Sequence, residues 1–208
     1  MKKRQQLYFI RHAESEANKN RILGSRKPFP LTEDGRADSR LIAAELAERC
    51  SIGRIISSPV LRAVQTAEAF SEIFGLEIEI DDRLAEQELG VFSGLSYDEV
   101  KNRRDYEHDS LKRWNWRPEG GESYADISER VISFFGDMEK AEEGSALVVT
   151  HAVTLRLITA ALAATLPEYP KDFPNNGEIL KVEFSRLGSP HKIESIMLGN
   201  SRSFTHNP

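Results

Sequence analysis

The chain has 208 residues, 39% of them apolar and 29% charged, which are proportions of a folded globular protein and exclude a disordered one. Its 28 basic and 33 acidic residues leave a net charge of −5, which argues against a general binder of nucleic acid or acidic membranes. The single cysteine, Cys50, excludes an intrachain disulfide and zinc held by a cysteine cluster, and it fits a reducing compartment.

The length suits one domain, spanning 1–208, with one sheet-based core. The first apolar run, Leu7 to Ile10, reads as a buried strand ending in Arg11 and His12. It is too short for the core of a signal peptide. Residues 18–31 contain Gly24, Pro28 and Pro30 and read as a loop. Thr32 is placed to cap a helix reaching about Cys50, with Glu33 and Asp34 in its first turn. Arg54–Ser57 is a second short strand, and Pro59 is expected in the first turn of the next helix, whose apolar face includes Ala63, Ala67 and Phe70. Leu76, Ile78 and Ile80 alternate as a third strand.

Asp81 to Gly94 is irregular, and Ser96 is expected to start a charged helix to about Arg104. After a turn at Arg117–Gly121, Ser123 starts a helix with an apolar stripe of Ile127, Val131, Phe134, Phe135 and Met138. Ala146–Thr150 reads as a strand buried on both faces, followed by a helix from Val153 to about Ala164. The apolar-rich stretch Leu155–Leu166 is broken by Arg156 and is too short to span a bilayer, so a cytoplasmic protein without membrane partners is expected. Two last strands, Ile179–Phe184 and Lys192–Leu198, are expected to pair as an antiparallel hairpin. This alternation of strands and helices predicts an α/β fold, a mostly parallel sheet with helices on both faces.

In such sheets ligands bind beyond the carboxyl ends of the strands. Arg11 and His12 follow the first strand, Ser58 and Arg62 the second, Arg83 and Glu86 the third, and His151 the strand at 146–150. Taken singly, each has a plain structural reading: His151 as a core histidine, Arg62 as a solvated helix residue, Glu86 as a loop acid. Together they suit phosphoryl transfer. Guanidinium forks bind phosphate oxygens, a neutral imidazole attacks phosphorus, and a carboxyl group protonates the leaving alkoxide.

Four stretches, FIRHAES, SSPVLRAVQTAE, RLAEQELGVFSGLS and VVTHAVTLRLI, resemble the signatures of the histidine phosphatase superfamily in its phosphoglycerate-mutase-like branch; PEGGES is a further match. The resemblance implies a three-layer α/β/α sandwich that uses neither metal nor organic cofactor. It implies His12 as the phosphorylated nucleophile, Arg11, Arg62 and His151 as the phosphoryl clamp, and Glu86 as proton donor. Asn18 falls where the family places another phosphate contact, although a loop-capping amide is an equal reading. Ser58 is expected to shape the turn before Arg62 or to touch the nucleophile's second nitrogen. Alanines 13 and 152 stand where glycine is commoner, and would be strained if the backbone there needed a positive φ.

Where mutases carry a basic and an aromatic residue after the acid, this chain has Glu88 and Leu89, which favours a phosphatase of small phosphorylated substrates over a mutase. A non-catalytic phosphate-binding module is the third reading. Residues 101–117 hold six basic residues against three acids, with aromatic residues between them. They are expected to form either a substrate lid using Arg113, Trp114 and Trp116, or a solvated segment packed on the domain. A homodimer is one option for the assembly.

Overall fold

The central strands carry continuous apolar runs because each is buried on both faces. In β1 (Gln5–Arg11), Leu7 and Phe9 enter one core while Tyr8 and Ile10 enter another. In β4 (Gly144–Thr150), Ala146 and Val148 join the first core, and Leu147 and Val149 the second. The computed structural model describes residues 4–199; the ends of the expected domain, 1–3 and 200–208, lie outside the described residues.

The other strands are β2 (Arg54–Ser57), β3 (Ile78–Ile80), β5 (Glu178–Phe184) and β6 (Ile193–Leu198). They form one six-stranded sheet in the order β3-β2-β4-β1-β5-β6. The first four in that order are mutually parallel, and β5 runs antiparallel to both β1 and β6. The long helices are α2 (Glu33–Arg49), α3 (Leu61–Phe74), α5 (Tyr124–Met138) and α6 (Ala152–Ala163), with two single-turn helices, α1 (Glu16–Lys19) and α4 (Tyr97–Val100). Ala43 and Leu46 of α2 and Ala63, Ala67 and Phe70 of α3 cover one face of the sheet. Residues of α5 and α6 cover the other. The expected three-layer sandwich with a mostly parallel sheet is therefore the observed fold. A smaller cluster, Leu23, Leu89, Phe92, Val100 and Tyr106, packs separately from these two cores.

Caps account for the helix starts. Thr32 Oγ1 accepts from Gly35 N at 2.9 Å, and Ser123 and Asp126 form a reciprocal capping box at the head of α5. Two elements differ from expectation. Pro59 precedes α3, which begins at Leu61 with Val60 as its cap. The helix expected from Ser96 to Arg104 stops at Val100 after its own capping box. Arg103 and Asp105 then form a two-toothed pair at 2.8 and 2.6 Å, a spacing that a helix surface does not provide.

Phe135 anchors α5 to the sheet through rings of Phe9 and Phe184, with centroids 6.1 and 5.0 Å away. Truncating it empties the centre of one core. Phe135→Ala is expected to lower stability by about 3–5 kcal/mol in urea unfolding; a loss below about 1 kcal/mol would contradict this packing.

Candidate active site

Register brings the two histidines together. Arg11 pairs with Thr150 across β1 and β4, and His12 N donates to Thr150 O at 2.9 Å. The next residues, His12 and His151, thus leave the sheet side by side, their ring centroids 5.1 Å apart. β2 ends at the same edge, where Ser58 N donates to Val149 O at 3.0 Å and α3 then carries Arg62.

The neighbours of His12 define its tautomer. Nδ1 lies 2.7 Å from Ala13 O, an acceptor, so it carries the hydrogen. Nε2 lies 3.0 Å from Arg62 Nε, a donor, so it carries the lone pair. Burial, then the charges of Arg62 and Arg11, hold the ring's pKa well below 6.5, against the pull of the Ala13 carbonyl. His12 is a neutral, buried imidazole whose Nε2 lone pair is turned to a cation.

His151 is fully buried, and its pKa is likewise driven well below 6.5 by burial and by Arg62. Its Nε2 lies 2.7 Å from Ser58 Oγ, while its buried Nδ1 has no hydrogen-bond partner among the described residues. With Ser58 donating to Nε2, Nδ1 carries the hydrogen; the ring lies beside His12, but His151 is not among the residues that line the neighbouring cavity. Ser58 Oγ also accepts from Val60 N at 3.2 Å and so shapes the turn before Arg62, as expected; the contact with His12 Nδ1 belongs to Ala13 O.

Both arginines are fixed by main-chain carbonyls. Arg11 Nη1 donates to Pro174 O at 2.8 Å, leaving a buried Nε with no partner among the described residues. Arg62 donates through Nη2 to Ser25 O at 2.7 Å and through Nη1 to Lys27 O at 3.3 Å. Burial lowers Arg62 to about 10, with Glu86 opposing and Arg11 reinforcing the shift, so it remains a cation at neutral pH. Glu86 sits over the start of α6, its carboxylate accepting from Val153 N and Thr154 N, each at 3.3 Å, and from Gln87 N at 2.9 Å.

A cavity of about 140 Å³ is lined by Arg11, His12, Asn18, Arg62, Glu86 and Arg113, among others. Asn18 takes the capping role that its sequence allowed. Its Oδ1 accepts from Ser15 N at 3.0 Å and caps α1, while the residue lines the cavity. Of the three lid candidates only Arg113 lines it, nine-tenths buried with its guanidinium 4.7 Å from the Tyr106 ring centre. Trp114 stacks on Tyr169 and Trp116 packs against Phe92 and Tyr106, because their large apolar rings are half-buried in the domain. Arg83, also expected at this edge, instead pairs with Asp81 and Asp137. Alanines 13 and 152 do not have positive φ, so neither is strained.

Sequence reasoning missed Asn176, whose side-chain Nδ2 donates to His12 O at 2.6 Å, and the residues that act through their main-chain carbonyls, Ser25, Lys27 and Pro174. A carbonyl leaves no signature in the side-chain pattern. The cavity wall Tyr97 was missed as well, whereas Tyr106, one of the aromatic residues of the 101–117 segment, does line the cavity.

Residues 7–190 match the histidine phosphatase superfamily (branch 1). Phosphoserine phosphatase 1 of Hydrogenobacter thermophilus is 36% identical over 163 residues, covering 75% of each chain. A probable phosphoglycerate mutase GpmB of an Enterobacter species is 31% identical over 167 residues, covering 79% of this chain and 77% of its own. Among solved structures, Bacillus stearothermophilus YhfR superposes with a TM-score of 0.80 at 26% identity, covering 96% of this chain and 100% of that one. A mycobacterial glucosyl-3-phosphoglycerate phosphatase superposes at 0.79 with 22% identity, covering 92% and 98%, a likeness of fold.

The two neutral histidines couple stability to pH. Their folded pKa values are depressed, so below about pH 6.5 the unfolded chain takes up protons that the folded chain does not. Their stabilising effect is complete above that pH and falls as pH drops toward the folded values, by up to about 1.4 kcal/mol per pH unit for each ring. Urea unfolding between about pH 7 and pH 5 is expected to show this slope, and a His12→Gln/His151→Gln double variant a shallower one. Identical slopes would show that the rings titrate normally.

Proposed function

The chain belongs to the histidine phosphatase superfamily, and from that premise we propose that it hydrolyses small phosphomonoesters through a phosphohistidine at His12. The observation that carries the proposal is the state of His12: a neutral ring, its Nδ1 held by Ala13 O and its Nε2 lone pair directed at Arg62. A buried imidazole so constrained is a nucleophile that needs no prior deprotonation.

In this reading the phosphoryl group enters the cavity and takes over the contacts between Arg62 and His12. Nε2 attacks phosphorus as the bond to the ester oxygen breaks. Arg62, the unpartnered Nε of Arg11 and Nδ1 of His151 stabilise the charge on the transferring oxygens. Glu86, protonated, gives its hydrogen to the leaving alkoxide. Glu86 as carboxylate then takes a proton from water as that water attacks the phosphohistidine. Inorganic phosphate leaves, and His12 and Glu86 return to their starting states.

Hydrolysis is favoured over a mutase by Glu88 and Leu89. Burial raises the Glu88 pKa, but hydrogen bonds from Ser93, Gly90 N and Ser25 outweigh it and hold the group below the usual carboxylate range. An anion beside an aliphatic cavity wall is poorly suited to holding a phosphoglycerate carboxylate. The relatives named for phosphoserine and glucosyl-3-phosphoglycerate support a phosphorylated small molecule as substrate. No helix among the described residues is long and apolar enough to cross a membrane. The lone Cys50 supports a cytoplasmic setting.

Rapid acid-free quenching with labelled substrate is expected to trap an acid-labile phosphoenzyme that is absent in His12→Ala, whose turnover falls by at least about 10³-fold. Glu86→Gln is expected to lose about 10²- to 10⁴-fold on an alkyl phosphate and much less on para-nitrophenyl phosphate, whose leaving group needs no proton. Release of inorganic phosphate from a phosphoglycerate marks a phosphatase; conservation of total ester would mark a mutase. Full turnover by His12→Ala would end the proposal.

A further inference from the structure

The PEGGES segment contributes no residue to the cavity, yet Glu122 within it ties together the two arginines that hold the Glu86 main chain. Its Oε2 forms an ion pair with Arg26 Nη2 at 2.7 Å and accepts from Glu88 N at 3.1 Å and from Arg130 Nη2 at 3.4 Å. Its Oε1 lies 3.4 Å from Arg130 Nε, an ion-pair contact rather than an aligned hydrogen bond. The two arginines in turn reach the main-chain oxygen of the acid: Arg26 Nε donates to Glu86 O at 3.0 Å and Arg130 Nη2 at 3.5 Å. The main chain of Glu122 completes the grip, with its N–H donating to Glu88 O at 2.8 Å and its C=O accepting from Gln87 Nε2 at 2.7 Å.

The glycines explain how two loops come so close. A Cβ on Gly121 would lie 2.5 Å from Glu88 O, and one on Gly90 1.8 Å from Glu119 O at a φ of +52°. Only glycine permits the approach.

We propose that Glu122 is a positioning residue for Glu86: its carboxylate orients Arg26 and Arg130, and these fix the peptide on which the proton donor is carried. The inference rests on the phosphatase reading above. Its physical basis is that two guanidinium groups converging on one carbonyl repel each other unless an anion lies between them. Without that anion the acid loop loses its register, and a displacement of about 1 Å at a proton donor is costly to the rate.

The test compares an alkyl phosphate with para-nitrophenyl phosphate in the full chain, with folding checked by circular dichroism. Glu122→Gln, which keeps the shape and removes the charge, is expected to lower kcat on the alkyl ester about 10- to 100-fold, and on the nitrophenyl ester less than about threefold, with KM nearly unchanged. In a Glu86→Gln background the same substitution is expected to add no further loss, because the two residues act as one unit. Arg26→Met lies on the surface and is expected to show the same substrate pattern to a smaller degree; it decides the question alone if Glu122→Gln does not fold. Equal losses on both esters, or a full further loss in the Glu86→Gln background, would overturn the inference while leaving the phosphatase intact. A wild type that releases phosphate from neither ester would overturn the function and the inference with it.

Discussion

The constraint on which the rest of the site depends is the enforced neutrality of His12. An imidazole in water is protonated about half the time near pH 6.5. Here the ring is buried beside two guanidinium groups, so a third positive charge is disfavoured both by desolvation and by repulsion. Ala13 O then selects which nitrogen keeps the hydrogen. Charge and tautomer are thus set by different neighbours, one electrostatic and the other a single hydrogen bond. The same arginines that suppress protonation are the groups that would receive the phosphoryl oxygens.

That arrangement requires the arginines to be held without acids. A carboxylate paired with Arg62 would neutralise it and cancel its effect on both the ring and the anion. Main-chain carbonyls of Ser25, Lys27 and Pro174 hold the guanidinium groups through dipoles and leave their charge intact. Apart from Glu86, which lines the cavity without a hydrogen bond to either arginine, carboxylates are used further out, where Glu122 balances Arg26 and Arg130. The site is therefore layered: cations at the reacting centre, carbonyls behind them, and ion pairs behind the loop that carries Glu86.

Much of this was legible in the sequence. The continuous apolar runs of β1 and β4 announced strands buried on both sides, and the polar residues that end them announced the edge where the cavity lies. Thr32 and Ser123 marked helix starts to the residue. What escaped has a common physical cause. Arg83 was expected at the edge because it follows β3, but two nearby carboxylates and the ring of Phe134 hold it elsewhere. For Trp114 and Trp116 the sequence left two readings, a lid or packing on the domain, and the second is observed, because their apolar area gains more from neighbouring rings than from lining a polar cavity. Sequence spacing reports which side chains reach an edge. It does not report which partners, brought in from distant segments, compete for them.

The strand order has one further consequence, for the chain as it is being made. β4 lies between β2 and β1, so these two early strands share no hydrogen bonds with each other and are joined only through a segment beginning at Gly144. Until that segment leaves the ribosome, both early strands present bare inner edges to whatever else is nearby. Gly177 N and Asn176, which clasp the end of β1, arrive later still. The sheet and the cavity at its edge are therefore completed together, by the segments that follow Gly144.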